Sequence, residues 1–342
     1  MSSPALPRVT VVIPNWNGER FLDLCLTSLR CQSFKDFETV LVDNGSTDTS
    51  VKFTKRNFPE VRVVSLDDNR GFSVAVNVGI RASEAEYVAL LNNDTEVDPG
   101  WLEALTRAGE SYLEAGLFAS KLVDFHDRRV LDGAGDALRR SGLPYRIGHQ
   151  ELDRGQFDEP ALVFSACAAA ALYRRSLFEE IGPFDEDFFA YCEDGDVSFR
   201  AQLAGYQCVY VPEAVVYHMG SASTGGKRSP TATRLGTQNS VNLLIKNLPV
   251  ALVWRSLPSL VGGQLARILA TSFSGSGLRA HLGGLAGAWH LLPRMLEKRK
   301  GIQSRRRVSD DYVSQLLQYS SRQAKESRRR RVRDRIRLRL KR

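Results

Sequence analysis

Tyr87-Val88-Ala89-Leu90-Leu91-Asn92-Asn93-Asp94-Thr95 is an apolar run that ends in three consecutive amide or carboxylate side chains. A short apolar run bounded by polar text is most simply a buried strand. Asp98-Pro99-Gly100 follows it as a turn and helix start. In open α/β sheets, ligands sit beyond the carboxyl ends of the strands. A carboxylate flanked by amides at that place suits a divalent cation carrying phosphate oxygens. Taken alone, Asn92-Asn93-Asp94 is better read as an Asx-rich turn, because Asn and Asp favour turns for local reasons. The flanking chain decides between the two.

Upstream, Val9-Thr10-Val11-Val12-Ile13 is a β-branched run stopped by Pro14 and followed by Asn15-Trp16-Asn17-Gly18. Residues 19–31 then place Phe21, Leu22, Cys25, Leu26 and Leu29 at helical spacing. Glu38 to Val42 is a second strand ending in Asp43-Asn44-Gly45-Ser46-Thr47-Asp48, and a helix is expected over 49–57, capped by Thr47 or Asp48. Val61 to Leu66 is a third strand, broken by Asp67-Asp68-Asn69-Arg70-Gly71, and a helix over 72–83 leads into the strand at 86–91. Strands alternating with helices of this length predict βαβ crossovers and a mostly parallel sheet, an α/β fold. Strands 9–13, 38–42 and 86–91 each deliver a polar cluster at the carboxyl end, as a ligand cleft along one sheet edge requires.

Downstream, 99–115 reads as a helix, and 121–160, rich in Gly, Asp and Arg with weak strands, reads as a long excursion of lid or binding type. Leu162 to Tyr173 is apolar and small, hence buried. A helix opens near Glu193-Asp194-Gly195-Asp196, after the aromatic run Phe188, Phe189, Tyr191. Strands are expected at 209–211 and 215–218, with the compact domain ending near 225 and Gly225 to Pro230 forming a mobile loop.

The 342 residues carry a net charge of +8, unevenly spread. Residues 298–342 hold 18 Lys/Arg against 4 Asp/Glu, so the rest of the chain is mildly acidic at −6. Five cysteines with no CxxC pair exclude the usual zinc spacings and argue against a disulfide framework, which places the thiols in a reducing compartment. Met1-Ser2-Ser3-Pro4 runs into a strand without the basic and apolar regions of a secretory signal.

These residues suit a nucleotide-diphosphate sugar. Asp43, at a strand end, can accept from the imide N–H of uracil or thymine, or from a ribose hydroxyl. Asp94 can hold a cation between the two phosphates. Glu193 and Asp194 are both candidates for the general base that deprotonates an acceptor hydroxyl, although acidic residues also gather at helix N-termini for electrostatic reasons. His218, followed by Gly220 and Ser223, can add an imidazole to the metal or diphosphate, although a lone His at a strand end is more often structural.

The motifs Val11-Val12-Ile13-Pro14-Asn15-Trp16-Asn17-Gly18, Val42 to Asp48, Asn69-Arg70-Gly71-Phe72 with Asn77 and Gly79, Leu91 to Thr95, Glu193 to Asp196 with Arg200, and His218 with Gly220 and Ser223 run in order over residues 9–224. In this the chain resembles a family 2 glycosyltransferase of GT-A (nucleotide-diphospho-sugar transferase) fold, in the rhamnosyltransferase-like branch. The resemblance implies that Pro14, Asn15 and Asn17 line the nucleoside pocket, that Asp43 binds the base, and that Asn69, Gly71 and Asn77 shape the donor pocket. It implies Asp94 as the last residue of a DxD-type motif holding Mg²⁺ or Mn²⁺, with Asn93 as a supporting group and His218 assisting the metal. It implies Asp194 as the catalytic base of an inverting transfer. Asn92 stands where the family's first carboxylate is usual, which removes charge from the metal site.

Residues 231–297 read as helical, apolar and punctuated by Arg255, Arg267, Arg279 and Arg294. The charge-free runs 256–266 and 268–278 fall short of the ~20 residues a membrane span needs. Amphipathic helices of this type lie in a membrane interface or form an ordinary helical packing layer. Ten of the last fifteen residues are basic, a run that binds anionic lipid or stays as a disordered end. Three regions are therefore expected: a glycosyltransferase domain over 1–225, an interfacial helical region over 226–297, and a basic, partly disordered tail over 298–342. The expected enzyme moves a sugar, with dTDP-rhamnose as a donor implied by the resemblance, to a glycan or lipid-linked acceptor at the cytoplasmic face of a membrane, in cell-surface polysaccharide synthesis. The competing readings are a nucleotidyltransferase, which needs a Gly-rich phosphate loop that Asn15 to Gly18 does not provide, and a basic-tailed nucleic-acid-binding protein, with no specific nucleic acid expected on the first reading.

Overall fold

Along the first strand, Val9, Val11 and Ile13 face one hydrophobic core and Val12 faces another; along the fourth, Tyr87, Ala89 and Leu91 alternate in the same way with Val88 and Leu90. A strand buried on both sides sits in the middle of a sheet covered by helices on each face. The computed structural model describes residues 6–220, 229–272 and 275–340. Ser223 and most of the expected loop at 225–230 lie outside the described residues.

The elements run β1 (Val9–Asn15), α1 (Glu19–Arg30), β2 (Phe37–Asn44), α2 (Ser50–Asn57), β3 (Arg62–Leu66), α3 (Phe72–Arg81), β4 (Tyr87–Leu91), β5 (Thr95–Val97), α4 (Trp101–Ser111), β6 (Ala115–Asp124), β7 (Leu131–Ala134), β8 (Asp136–Leu138), β9 (Pro144–Arg146), β10 (Ala161–Val163), β11 (Ala170–Arg174), α5 (Arg175–Ile181), α6 (Glu193–Leu203) and β12 (Gln207–His218). Four helices follow: α7 (Pro230–Asn247), α8 (Val250–Ser272), α9 (Gly275–Ser304) and α10 (Asp310–Leu340).

The main sheet has the order β10-β12-β6-β11-β4-β1-β2-β3. Only β11 runs against its neighbours within the stretch from β12 to β3, so six of those seven strands point the same way. The sheet is therefore mostly parallel, as the alternating elements required. The chain winds outward from β1 to β3, then crosses back so that β4 lies on the other side of β1. That reversal is a topological switch point, the place where loops at the carboxyl ends of adjacent strands part to leave a crevice. Asn15 and the Asn92-Asn93-Asp94 segment leave the sheet there.

Three expectations are corrected by this part of the fold. The helix expected over 99–115 ends at Ser111 and gives way to β6, a fully integrated strand whose ten residues are almost all buried. The two strands expected at 209–211 and 215–218 are one strand, β12, with a register irregularity between Val211 and Val215. The excursion expected over 121–160 with weak strands is tied into the main sheet. It starts inside β6, carries β7, β8 and β9, and is tied back by the backbone pairs Leu131 N to Glu151 O (2.9 Å) and Ala134 N to Ile147 O (2.8 Å).

The C-terminal helices share a core with the sheet domain: Phe188, Phe199 and Leu203 pack with Leu243, Leu252, Met295, Val313 and Leu317. Lys246 on α7 is buried and donates to Asp185 (2.6 Å) and Asp196 (2.7 Å). Of the tail expected over 298–342 as partly disordered, residues 298–304 end α9 and Asp310–Leu340 form α10, whose inward row Ser320, Ala324 and Ser327 is buried and whose Asp334 accepts from Leu152 N at 3.1 Å. The spacing i, i+4, i+7 puts small side chains on one face, so the helix seats closely while Arg322, Lys325, Arg328, Arg329 and Arg333 stay exposed. Among the described residues no helix is long and apolar enough to cross a membrane.

Candidate active site

At the switch point a cleft of about 780 Å³ is lined by Pro14, Asn15, Asn69, Gly71, Asn92, Asn93, Asp94, Asp194 and His218. Segments up to two hundred residues apart in sequence thus meet in one cavity. An amide relay fixes its first wall. Asn93 Nδ2 donates to Asn15 Oδ1 (2.7 Å), and Asn15 Nδ2 donates to Asp43 Oδ1 (3.0 Å). Asp43 also accepts from Ser46 N through Oδ2 at 3.1 Å. The three strand ends are thereby locked together in a buried network, where satisfied polar groups rigidify their surroundings.

Some expected residues stand elsewhere. Asp43 does not line the cleft; it is nearly fully buried behind Asn15 and holds it. Asn17, in the left-handed region with φ of 50°, turns its Oδ1 to Thr47 N (2.8 Å) and shapes the loop after β2. Asn77 is furthest from its expected role. Its side chain is buried between α3 and the 183–188 segment, donating to Phe184 O (2.8 Å) and accepting from Phe184 N (2.9 Å). It borders a second cavity of about 430 Å³, not the cleft. Gly71 has φ of +89°, and a Cβ there would meet Phe189 at 2.6 Å, so only glycine lets the 186–192 loop close over the start of α3. Asn44 holds that turn, donating to Gly71 O (3.1 Å) and accepting from Arg70 N (3.0 Å).

Strand pairing explains how Asp94 and His218 meet. The short β5 runs antiparallel to the end of β12, with Thr95 opposite His218 and Met219 N donating to Asp94 O at 3.0 Å. His218 Nε2 lies 3.5 Å from Asp94 Oδ1, too long for a good hydrogen bond. This buried nitrogen has no hydrogen-bond partner among the described residues. The other ring nitrogen, Nδ1, is 2.7 Å from Asp132 Oδ2. Burial lowers the imidazole's basicity, but the carboxylates of Asp132 and Asp94 outweigh it and raise the pKa above the ordinary value. A carboxylate behind a histidine whose far nitrogen faces a second carboxylate is the arrangement that orients imidazole toward a metal ion. The donor set fits a divalent cation.

At the other end, α6 begins after two residues with positive φ, Tyr191 (73°) and Cys192 (66°), a backbone conformation of the kind that collects at functional sites. This strained entry turns Glu193 and Asp194 into the cleft. Glu193 is buried, its Oε2 has no hydrogen-bond partner among the described residues, and burial beside Asp194 pushes its pKa up to about 8. Burial also raises the pKa of Asp194, but Arg146 and the N–H groups of Gly195 (2.7 Å) and Ala168 (3.4 Å) favour its anion. Arg146 thus favours the charged form of Asp194, and no cation among the described residues does the same for Glu193.

Arg146 is the residue that the sequence reading missed. It lies between the two ends. Nη1 donates to Asp132 Oδ2 (2.9 Å), Nε faces Asp136 Oδ1 (3.4 Å) and Nη2 donates to Cys167 Sγ (2.7 Å). Ligand atoms of Asp136, Cys167 and Asp194 lie within 4.8 Å of one another. A charge chain thus runs from Asp94 through His218, Asp132, Arg146 and Asp136 to Asp194. Its middle members come from β7, β8 and β9, inside the stretch taken for a loose excursion. The available signal was Asp132-Gly133-Ala134-Gly135-Asp136. A Cβ on Gly133 would meet Arg146 Cδ at 2.8 Å, so the small residue makes room for the guanidinium. Arg267, on α8, also lines the cleft and donates to Ser240 Oγ (2.9 Å) and Thr237 Oγ1 (3.1 Å).

The model for the family described as Glycosyl transferase family 2 matches residues 10–182, half of the chain. The chain belongs to glycosyltransferase family 2. Its sequence is rhamnosyltransferase-like. This glycosyltransferase is 31% identical over 245 residues to the N-acetylglucosaminyl-diphospho-decaprenol L-rhamnosyltransferase of Mycobacterium tuberculosis (strain CDC 1551 / Oshkosh), covering 64% of this chain and 78% of that one. It is 30% identical over 252 residues to a pre-mycofactocin glycosyltransferase of the same organism, covering 68% of this chain and 49% of the relative. Among solved structures, the mannosyltransferase PcManGT from Pyrobaculum calidifontis, in complex with GDP-Man and Mn²⁺, superposes with a TM-score of 0.55 at 17% identity, over 94% of this chain and 86% of that one. GalNAc-T7 with UDP, GalNAc and Mn²⁺ gives 0.61 at 16% identity, over 85% and 57%. The fold of the family 2 glycosyltransferase described here is GT-A.

Proposed function

We propose that this glycosyltransferase moves a sugar from a nucleotide-diphosphate donor to a lipid-linked or glycan acceptor with inversion, in the assembly of cell-surface polysaccharide, acting at the cytoplasmic face of a membrane. The observation that carries the donor site is His218 Nε2, buried, without a hydrogen-bond partner among the described residues, and facing Asp94. Asp94 and His218 would hold Mg²⁺ or Mn²⁺, with Asp132 orienting the imidazole. A divalent cation bound there supplies positive charge to the diphosphate as the bond to the sugar breaks. Only one carboxylate serves in place of a DxD pair, and His218 would add a neutral nitrogen donor beside it, so the site carries less charge than two carboxylates would give.

Asn15, held by Asn93 and Asp43, would fix the strand end at the switch point beside the nucleoside, and Asn69 and Gly71 would close the other side. Asp94 and Asp194 line the same cleft, so an acceptor hydroxyl placed beside the donor sugar can give its proton to Asp194 as it attacks. The L-rhamnosyltransferase relative supports dTDP-rhamnose as the donor to test first. Manganese in the two solved neighbours supports Mn²⁺ as the first cation.

The test is thermal unfolding with dTDP, UDP and GDP, each with and without Mn²⁺, followed by a donor-hydrolysis screen. Nucleoside diphosphate with Mn²⁺ should raise the unfolding temperature more than either alone. Stabilisation by oligonucleotides and by no nucleoside diphosphate would favour a nucleic-acid-binding protein instead.

A further inference from the structure

Helix α8 has an outward row that nothing among the described residues covers. Val250, Trp254, Leu257, Val261 and Leu265 are all exposed, Trp254 at 71% and Leu265 at 59%. At 100° per residue, spacings of 4, 3, 4 and 4 keep these side chains within an arc of roughly 80° along about 22 Å of helix. The α9 helix, packed beside it, repeats the pattern with Leu282, Trp289 and Leu296, seven residues apart, Trp289 being 76% exposed. Large apolar residues scattered singly are normal on a surface, but contiguous rows mark an interaction site.

The charge around these rows selects the partner. From Ala214 to Leu296 the sequence has no Asp or Glu and eight Lys or Arg. Arg255 and Arg279 are exposed on the same two helices, and α10, which touches α8, turns Arg322, Lys325, Arg328, Arg329 and Arg333 to solvent. Pairing of two copies through this segment would set cations against cations with no acidic partner. An anionic lipid surface instead satisfies both features, with apolar side chains entering the acyl boundary and arginines meeting phosphates.

We propose that the exposed faces of α8 and α9 are a docking surface for anionic lipid, which seats the enzyme on the membrane with its cleft beside the bilayer. This rests on the lipid-linked acceptor proposed above. Geometry links the two: Arg267 sits on α8 yet lines the cleft, and Ala232 and Gly236 of the adjoining α7 line it too. The helix that meets lipid is thus also a wall of the site, so a lipid-linked acceptor reaches the cleft without leaving the surface.

The experiment is cosedimentation of the full chain with vesicles of phosphatidylcholine alone or mixed with phosphatidylglycerol. The comparison variant carries Trp254→Glu with Leu265→Glu, both at exposed positions, and each protein is also tested for unfolding with nucleoside diphosphate and Mn²⁺. Wild type should bind the phosphatidylglycerol vesicles, and the variant about tenfold or more weakly, with its nucleotide response intact. Equal binding by the variant overturns the proposal. So does a wild-type dimer in lipid-free solution that fails to bind vesicles and that the variant dissociates, since a second copy then covers the row. A nucleotide response without vesicle binding fails the docking proposal alone, whereas vesicle binding without any nucleotide response fails the transferase reading alone.

Discussion

Asp132 and Asp136 are four residues apart, touch the same arginine, and end in opposite states. Asp132 accepts from Arg146 and lies within bonding distance of His149 Nδ1 (3.0 Å) and His218 Nδ1 (2.7 Å). Burial disfavours its charge, but these partners outweigh burial and hold the carboxyl far below the usual range. Asp136 has one long contact to Arg146 and faces Asp194, and burial, opposed by Arg146, pushes its pKa up to about 7. The number of donors, more than the depth of burial, decides which buried carboxylate stays charged. The proposed metal end of the cleft is built around a fixed anion, and the proposed base end around carboxyls whose pKa burial raises.

The comparison breaks most visibly if Asp132 is neutralised. Asp132→Asn should weaken Mn²⁺ affinity about 10–100-fold, as loss of an orienting partner behind a metal-binding histidine does. The readout is the Mn²⁺ concentration giving half-maximal donor hydrolysis. If that concentration is unchanged, Asp132 does not orient His218.

Arg146→Met acts at both ends. Because Arg146 favours the anion of Asp194, its removal should move the acidic limb of the kcat/KM profile up by about 1–3 pH units, the range expected for loss of a nearby opposite charge. Arg146→Lys should move it less. A profile that falls in height without moving would make Arg146 purely structural.

Asp136→Asn sharpens the contrast through stability. With a folded pKa of about 7 against an ordinary 3.8, protonated Asp136 contributes stability that is fully present below 3.8 and lost as pH rises through 7. The variant should therefore unfold at a higher temperature than wild type at pH 8, and the gain should vanish toward pH 4. Each pKa unit corresponds to about 1.4 kcal/mol. The smallest catalytic effect belongs to Asn77→Ala. It should leave donor KM unchanged while costing about 1–3 kcal/mol in chemical unfolding, because Phe184 loses its side-chain partner in a buried setting.

These residues also show what a sequence can reveal. Asn15, Asn93, Asp94, Asp194 and His218 were legible because strand periodicity and motif order put them at sheet edges or a helix start. The parallel sheet followed from the alternation of elements. Asn77 was misplaced because a helical polar residue in a motif gives no sign of which neighbour it faces; here it faces the backbone of Phe184. Arg146 and Asp132 were missed because their importance lies in a tertiary meeting of β7, β9 and β12, which the Asp132 to Asp136 pattern hints at but does not place. The tail misled in a related way. Ten cations in fifteen residues suggest disorder, yet Ser320, Ala324 and Ser327 supply a seat that polarity alone does not announce. Ser327 also donates to Glu151, and Arg330 pairs with Glu151 at 2.7 Å.

The most direct test of the account is Asp194→Asn, with donor binding and transfer measured on the same protein. Donor affinity in the presence of Mn²⁺ should stay within about twofold of wild type, while transfer should fall about 10²–10⁴-fold, the usual contribution of a general base. Full transfer by this variant would contradict the assignment of the base, and with it the division of the cleft into a metal end and a base end.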